Sequence, residues 1–127
     1  MSDRCWTYRP FTVAVCRRCT AEQEPLIMTL LRRLVRRSPH GVLVQTQCLL
    51  GEFTCATMHP SRSPIMVLQP CTVDRTPSAA MVWVGPIETD ADARVACRWV
   101  AAGGWESADL PARLRADLNL ARVSHQN

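Results

Sequence analysis

The chain contains no lysine: all fifteen of its basic residues are arginine, set against eleven acidic residues for a formal net charge of +4. A nucleic-acid reader gathers its cations on one face and interleaves exposed aromatics. Here aromatics are only 6% of the chain. The one basic run is Arg32, Arg33, Arg36 and Arg37, where a helix is expected to end and cations complement its dipole. This pattern argues against a nucleic-acid partner. No apolar run approaches the roughly 20 residues of a membrane helix, which argues against a membrane partner. No charged-then-apolar export segment opens the sequence, so the expectation is a cytoplasmic protein. Internal repeats and low-complexity tracts are also lacking. At 127 residues and 47% hydrophobic content the chain reads as a single domain spanning 1–127. A chain of that size buries about two-thirds of its unfolded surface. A disordered tail, a collagen-like fibre and a multidomain enzyme are excluded.

Cysteine, by contrast, is abundant. Seven are present, Cys5, Cys16, Cys19, Cys48, Cys55, Cys71 and Cys97. An odd count without an export signal does not suit a disulfide framework. In a reducing compartment, clustered thiols point to metal, cluster or redox chemistry.

The hydrophobic pattern predicts strands at 11–15 (FTVAV), 42–46 (VLVQT), 65–69 (IMVLQ) and 81–84 (MVWV). A helix is expected to begin within 20–25, where Thr20 and Gln23 resemble a capping box and Pro25 suits a first turn, and to run to about Arg37. Ile27, Leu30, Leu31 and Leu34 form its buried stripe. A second helix starts at Thr89, with Asp92 three positions on. Val95, Trp99 and Ala102 line its inner side, and Gly103-Gly104 stops it. Residues 49–64 lose periodicity, 70–79 read as a loop, and Leu110, Leu114 and Leu118 mark an amphipathic tail at about 107–123. The core is thus about 11–104. A helix between two strands favours a parallel pair joined by a right-handed crossover, and the last two strands read as a hairpin. The β-α-β-β-β-α order matches a thioredoxin-like α/β architecture, a four-stranded mixed sheet with flanking helices.

That topology makes the cysteine positions informative. If the first two strands are adjacent and parallel, Cys16 and Cys48 both lie just past their C-terminal ends, at the sheet edge where open α/β folds place ligands. Cys19 shares the turn with Cys16, and Cys55 follows Cys48 in the irregular link. Cys16, Cys19, Cys48 and Cys55 can therefore converge, and a two-iron cluster needs four ligands, thiolates by preference. Cys97, inside an apolar helix, reads as core. Cys5 and Cys71 have no partner at motif spacing.

Several segments carry a family likeness: Val13-Ala14-Val15-Cys16-Arg17-Arg18-Cys19, Thr46-Gln47-Cys48-Leu49-Leu50-Gly51, Gln69-Pro70, Val82-Trp83-Val84-Gly85, Trp99-Val100-Ala101-Ala102-Gly103-Gly104 and Leu110-Pro111-Ala112-Arg113-Leu114. In this order, over about 11–118, the chain resembles the thioredoxin-like [2Fe–2S] ferredoxins in their short actinobacterial form. The resemblance implies a non-enzymatic electron carrier with one cluster, docking at its exposed cluster edge to a reductase or oxygenase partner; a homodimer is compatible with it. The family's second ligand loop is Cys-x-x-x-Cys, whereas Glu52 stands at that place here and Cys55 comes three residues later. The fourth ligand is therefore open between Cys55, Glu52 and His59, and loss of the cluster is the departure's other reading. Arg17 and Arg18 could offset the cluster's negative charge, although solvent-facing positions account for them equally.

Two other classes use the same thiols. Cys16-Arg17-Arg18-Cys19, ending a strand and opening a helix, is placed like the dithiol of a thioredoxin or glutaredoxin, with Pro64 where such enzymes hold a cis-proline. Structural zinc on the four thiols is the third reading.

Overall fold

The computed structural model describes residues 6–16, 26–46 and 64–116. Four strands, β1 (Phe11–Cys16), β2 (Gly41–Thr46), β3 (Met66–Pro70) and β4 (Val82–Val84), form one mixed sheet in the order β2-β1-β3-β4. β1 runs parallel to β2 and antiparallel to β3, and β3 is antiparallel to β4. The parallel pair and the hairpin are thus as the sequence pattern predicts. Strand ends differ from expectation by a residue; Met81 is half exposed and stands outside β4.

Period-two alternation divides the two faces of the sheet. Phe11, Val13 and Val15 on β1, Met66 and Leu68 on β3, and Val84 on β4 share one core cluster with the two described helices. These are α1 (Leu26–Arg37) and α2 (Asp90–Ala102). Both lie on this face and pack against each other, the Cys97 thiol lying 3.8 Å from the Leu30 carbonyl oxygen. Cys97 is accordingly half-buried between helices, a packing position. No helix among the described residues is long and apolar enough to cross a membrane.

On α1 the fully buried residues are Ile27, Met28, Leu31 and Leu34, and Leu30 sits half-buried at the flank towards α2. The expected start of this helix, within 20–25, lies outside the described residues. The turn into β2 needs Gly41. A Cβ there would stand 2.6 Å from the Phe11 ring, so the two strands can begin side by side only without a side chain at that point.

α2 begins as expected: the Thr89 hydroxyl accepts from the Asp92 amide at 3.0 Å. Its inner stripe is rotated from the predicted one. Ala93, Ala96, Trp99 and Val100 are buried, Val95 is half-buried and Ala102 is exposed. The helix packs mainly against α1, and the small Ala93 and Ala96 hold buried positions while the larger Val95 is only half-buried. Gly103 ends the helix at φ +81°, its amide donating to the Val100 carbonyl.

Beyond α2 the described part of the expected amphipathic tail, residues 107–116, includes two 3-10 turns, Ser107–Asp109 and Ala112–Leu114, with Leu110 and Leu114 buried. Pro111 lacks the N–H that a continuous helix needs; Leu118 lies outside the described residues. This segment closes the outer edge of β4, since the Gly85 amide donates to the Leu114 carbonyl at 2.8 Å and Val84 bridges to Arg115. It is tied to α2 by Arg113, whose Nε donates to the buried Asp92 carboxylate at 2.7 Å. Burial pushes the Asp92 carboxyl up, but Arg113 and the Glu88 and Thr89 backbone contacts outweigh it and hold it below the ordinary value.

The lead-in to β1 is better ordered than its polar sequence suggests. Thr7 is buried and its amide donates to the Ser38 hydroxyl. The Arg9 guanidinium lies 4.3 Å from the Trp105 ring centroid and donates to the Gly103 carbonyl.

Two outcomes test these bracing contacts. Gly103→Ala should lower stability by about 1–2 kcal/mol in urea unfolding, because it places a Cβ in the left-handed region and 3.1 Å from the Thr7 hydroxyl. Asp92→Asn should be less stable than the wild type at neutral pH. Because the folded carboxyl titrates below its unfolded value of 3.8, that gap should narrow as pH falls through the folded value. A gap that stayed constant to low pH would remove the ion pair from the account.

Candidate functional site

β1 and β2 end together. In their parallel register Phe11 pairs with Gly41 and each following residue with the next, so Cys16 stands directly opposite Thr46. Paired residues in such a ladder project to the same face. Cys16 alternates with Val15, so its side chain, like that of Thr46, lies on the face away from α1 and α2. The thiol residue is fully buried. On its other side the Cys16 amide donates to the Ile65 carbonyl at 3.3 Å, which brings the entry to β3, Pro64-Ile65, to the same sheet edge. Cys16 is thus flanked in one cross-strand row by Thr46 and by the buried, wholly apolar Ile65.

The Thr46 hydroxyl oxygen is buried and has no hydrogen-bond partner. Unpaired buried polar atoms are rare because the lost hydration is not replaced. Nothing in the sequence singles Thr46 out. Its importance follows from the register, which periodicity does not fix to the residue.

Of the predicted ligand set, Cys16 is described. Cys19, Cys48, Cys55, Glu52 and His59 lie outside the described residues, as do Arg17, Arg18 and Cys5. In the sequence, Cys48 follows the last residue of β2, Thr46, by two positions. Among the described residues, no three His, Cys, Asp or Glu side chains gather.

The structure separates the remaining cysteines from this edge. Cys71 follows Pro70, which pairs with Phe11 at the opposite end of β1, about 17 Å away for five residue steps along a strand. It is buried, bridged to Pro77, with an Arg75 Nη1 at 3.6 Å from its sulfur. Cys97 is on the other side of the sheet, between the helices.

One described peptide bond is cis, Gly85–Pro86, in the segment after β4. The bond entering Pro64, the expected cis-proline, involves Ser63 and lies outside the described residues. The Pro64 carbonyl accepts from the Ile87 amide at 2.9 Å, fixing that proline beside the strand ends.

Chemically, the described part of the site offers a buried thiol in apolar surroundings and an unsatisfied hydroxyl in the same row. Burial in apolar surroundings is a packing position for a cysteine and disfavours the attacking thiolate, whereas a soft metal centre would use the same sulfur as a ligand. Set against protein-family models, curated proteins and solved structures, the chain matches none.

Proposed function

We propose that this chain is a thioredoxin-like electron carrier whose [2Fe–2S] cluster is held by Cys16, Cys19, Cys48 and Cys55, with Glu52 or His59 as the alternative fourth ligand. The observation that carries the reading is the parallel β1–β2 pair in the register Cys16 to Thr46. It ends β1 on a buried thiol beside Thr46, the last residue of β2, which precedes Cys48 by two positions in the sequence. The fold part of the reading is supported by the strand order β2-β1-β3-β4, in which only β3 is reversed, and by two helices sharing one face.

The donor chemistry fits the group. Thiolates are the preferred cluster ligands, and hydrogen-bond donors near the sulfurs are a normal part of such sites. When bound, the cluster supplies one-electron transfer with no substrate bond made or broken. The protein's own contribution is positional. The strand ladder fixes the Cys16 sulfur, burial keeps water from it, and Ile65 gives it an apolar wall. A reductase or oxygenase is the partner class this chemistry serves.

One observation favours a second reading, a dithiol oxidoreductase using Cys16 and Cys19. The Cys16–Ile65 backbone hydrogen bond sets Pro64 beside the Cys16 end of the sheet, where such enzymes present a proline to the incoming disulfide.

Anaerobic purification with visible spectroscopy and metal analysis separates these readings. The carrier is expected to hold two irons and two acid-labile sulfides per chain. Cys48→Ser should abolish them while leaving a Cys16–Cys19 dithiol intact. A colourless, metal-free chain that reduces a model disulfide, with Cys48→Ser equally active, would replace the carrier by the oxidoreductase. One zinc per chain would replace both by a structural site.

A further inference from the structure

The two rims of the sheet are treated differently. The rim at β4, a strand of three residues, is covered by the chain itself, through Gly85 to Leu114 and Val84 to Arg115. The rim at β2, a strand of six residues, has β1 on one side and, among the described residues, no strand on the other. A bare rim of that length offers a row of backbone donors and acceptors to a further strand, and chains usually blunt one with a charge, a proline or a bulge. β2 has none of these: its sequence is GVLVQT, and it pairs with β1 in unbroken register from Gly41 to Thr46. Val42 and Val44 pair with Thr12 and Ala14, which alternate with the core residues of β1, so they lie on the face that the two described helices leave open. At 37% and 39% exposure they are two of the five large apolar side chains that stand exposed among the described residues.

We propose that β2 pairs antiparallel with β2 of a second copy of this chain, joining the two sheets into one. The occupant follows from the strand's own chemistry. A two-fold axis normal to the sheet sets identical strands antiparallel and keeps each face on its own side. Centred on Leu43, it puts Val42 of each copy opposite Val44 of the other, and directly opposed side chains are the unit of sheet stabilisation. The neighbouring symmetric registers, centred on Val42 or on Val44, still set valine against valine. Like charges facing each other across a joint destabilise it, and β2 carries no charge to repel its own copy. The exposed Arg36 and Arg37, a short turn before Gly41, sit at the opposite end of the joint from those of the second copy. Each chain has one such rim, β4 being covered, so association ends at two. The inference is independent of what Cys16 binds.

The test uses the full chain in reductant, so that none of its seven cysteines links two copies. Sedimentation from about 1 μM to about 1 mM should show the one-chain mass giving way to the two-chain mass and to nothing larger. Amide hydrogen exchange on dilute and concentrated wild type should show protection gained along β2 and not along β4. Val42→Lys/Val44→Lys, at positions already open to water, should keep the wild-type urea unfolding profile yet stay at the one-chain mass, because the introduced cations oppose each other across the joint. Val42→Glu/Val44→Glu should do the same alone, and an equimolar mixture of the two variants should recover the two-chain mass. Wild type that stays at the one-chain mass throughout overturns the proposal, as does a mass beyond two chains. A two-chain species without added protection on β2, one that both charged variants still form, or a mixture that does not associate overturns it as well. Should either double variant fail to fold, exchange on the wild type decides alone.

Discussion

The structure depends on one strand being paired along both edges. β1 exchanges backbone hydrogen bonds with β2 in parallel and with β3 in antiparallel fashion, so its six residues are held by partners on either side. Burying a strand so completely requires that its polar backbone groups be satisfied within the sheet. The same pairing fixes which residues face the helices. Phe11, Val13 and Val15 enter the main core, and Cys16, one residue further, is turned to the opposite face and buried there. Everything inferred about the sulfur follows from that last residue of a doubly paired strand.

Around this strand the molecule is braced through a few long-range contacts and not through its core alone. Arg9 joins the lead-in segment to Trp105 and to the end of α2, and Arg113 joins the turn region to Asp92 at the start of α2. Trp99 and Trp105 each spend their ring N–H on a backbone carbonyl, of Glu106 and Val100 respectively, at 2.9 Å. Two of the four tryptophans thus combine large buried area with a satisfied donor, which fixes the path of the chain as it leaves α2.

Much of the α/β organisation was legible in the residues. The β-branched runs announced the strands, Ile27, Leu31 and Leu34 announced α1, and Thr89, Asp92 and Gly103 marked the limits of α2. Each of these is a local signal, set by side-chain shape, capping or φ preference. What was not legible depended on relations between distant residues. The buried line of α2 runs through Ala93, Ala96 and Val100, set by its packing against α1, whereas the helical period alone pointed to Val95 and Ala102 beside Trp99. In the described part of the tail, 107–116, two short turns stand on either side of Pro111, which has no N–H to carry a helix through. At the candidate site, the end of β1 on Cys16 was visible, but the partnership with Thr46 was not, since a one-residue change of register would have set a different neighbour beside the thiol. The residues proposed as further ligands, Cys19, Cys48 and Cys55, lie outside the described residues and rest on the sequence.

The sealing of β4 by Leu114 and Arg115 has a consequence for biosynthesis. The segment that covers this rim of the sheet is made after α2, so a nascent chain long enough to assemble all four strands still presents a bare β4 border to its surroundings. Protection of that border waits for the stretch from Val84 to Leu114, 30 residues further, to be made and to dock, at a synthesis rate of about 5–20 residues per second. During this interval the rim is open to pairing with other chains, and in the folded chain the Asp92–Arg113 pair ties the covering segment to α2.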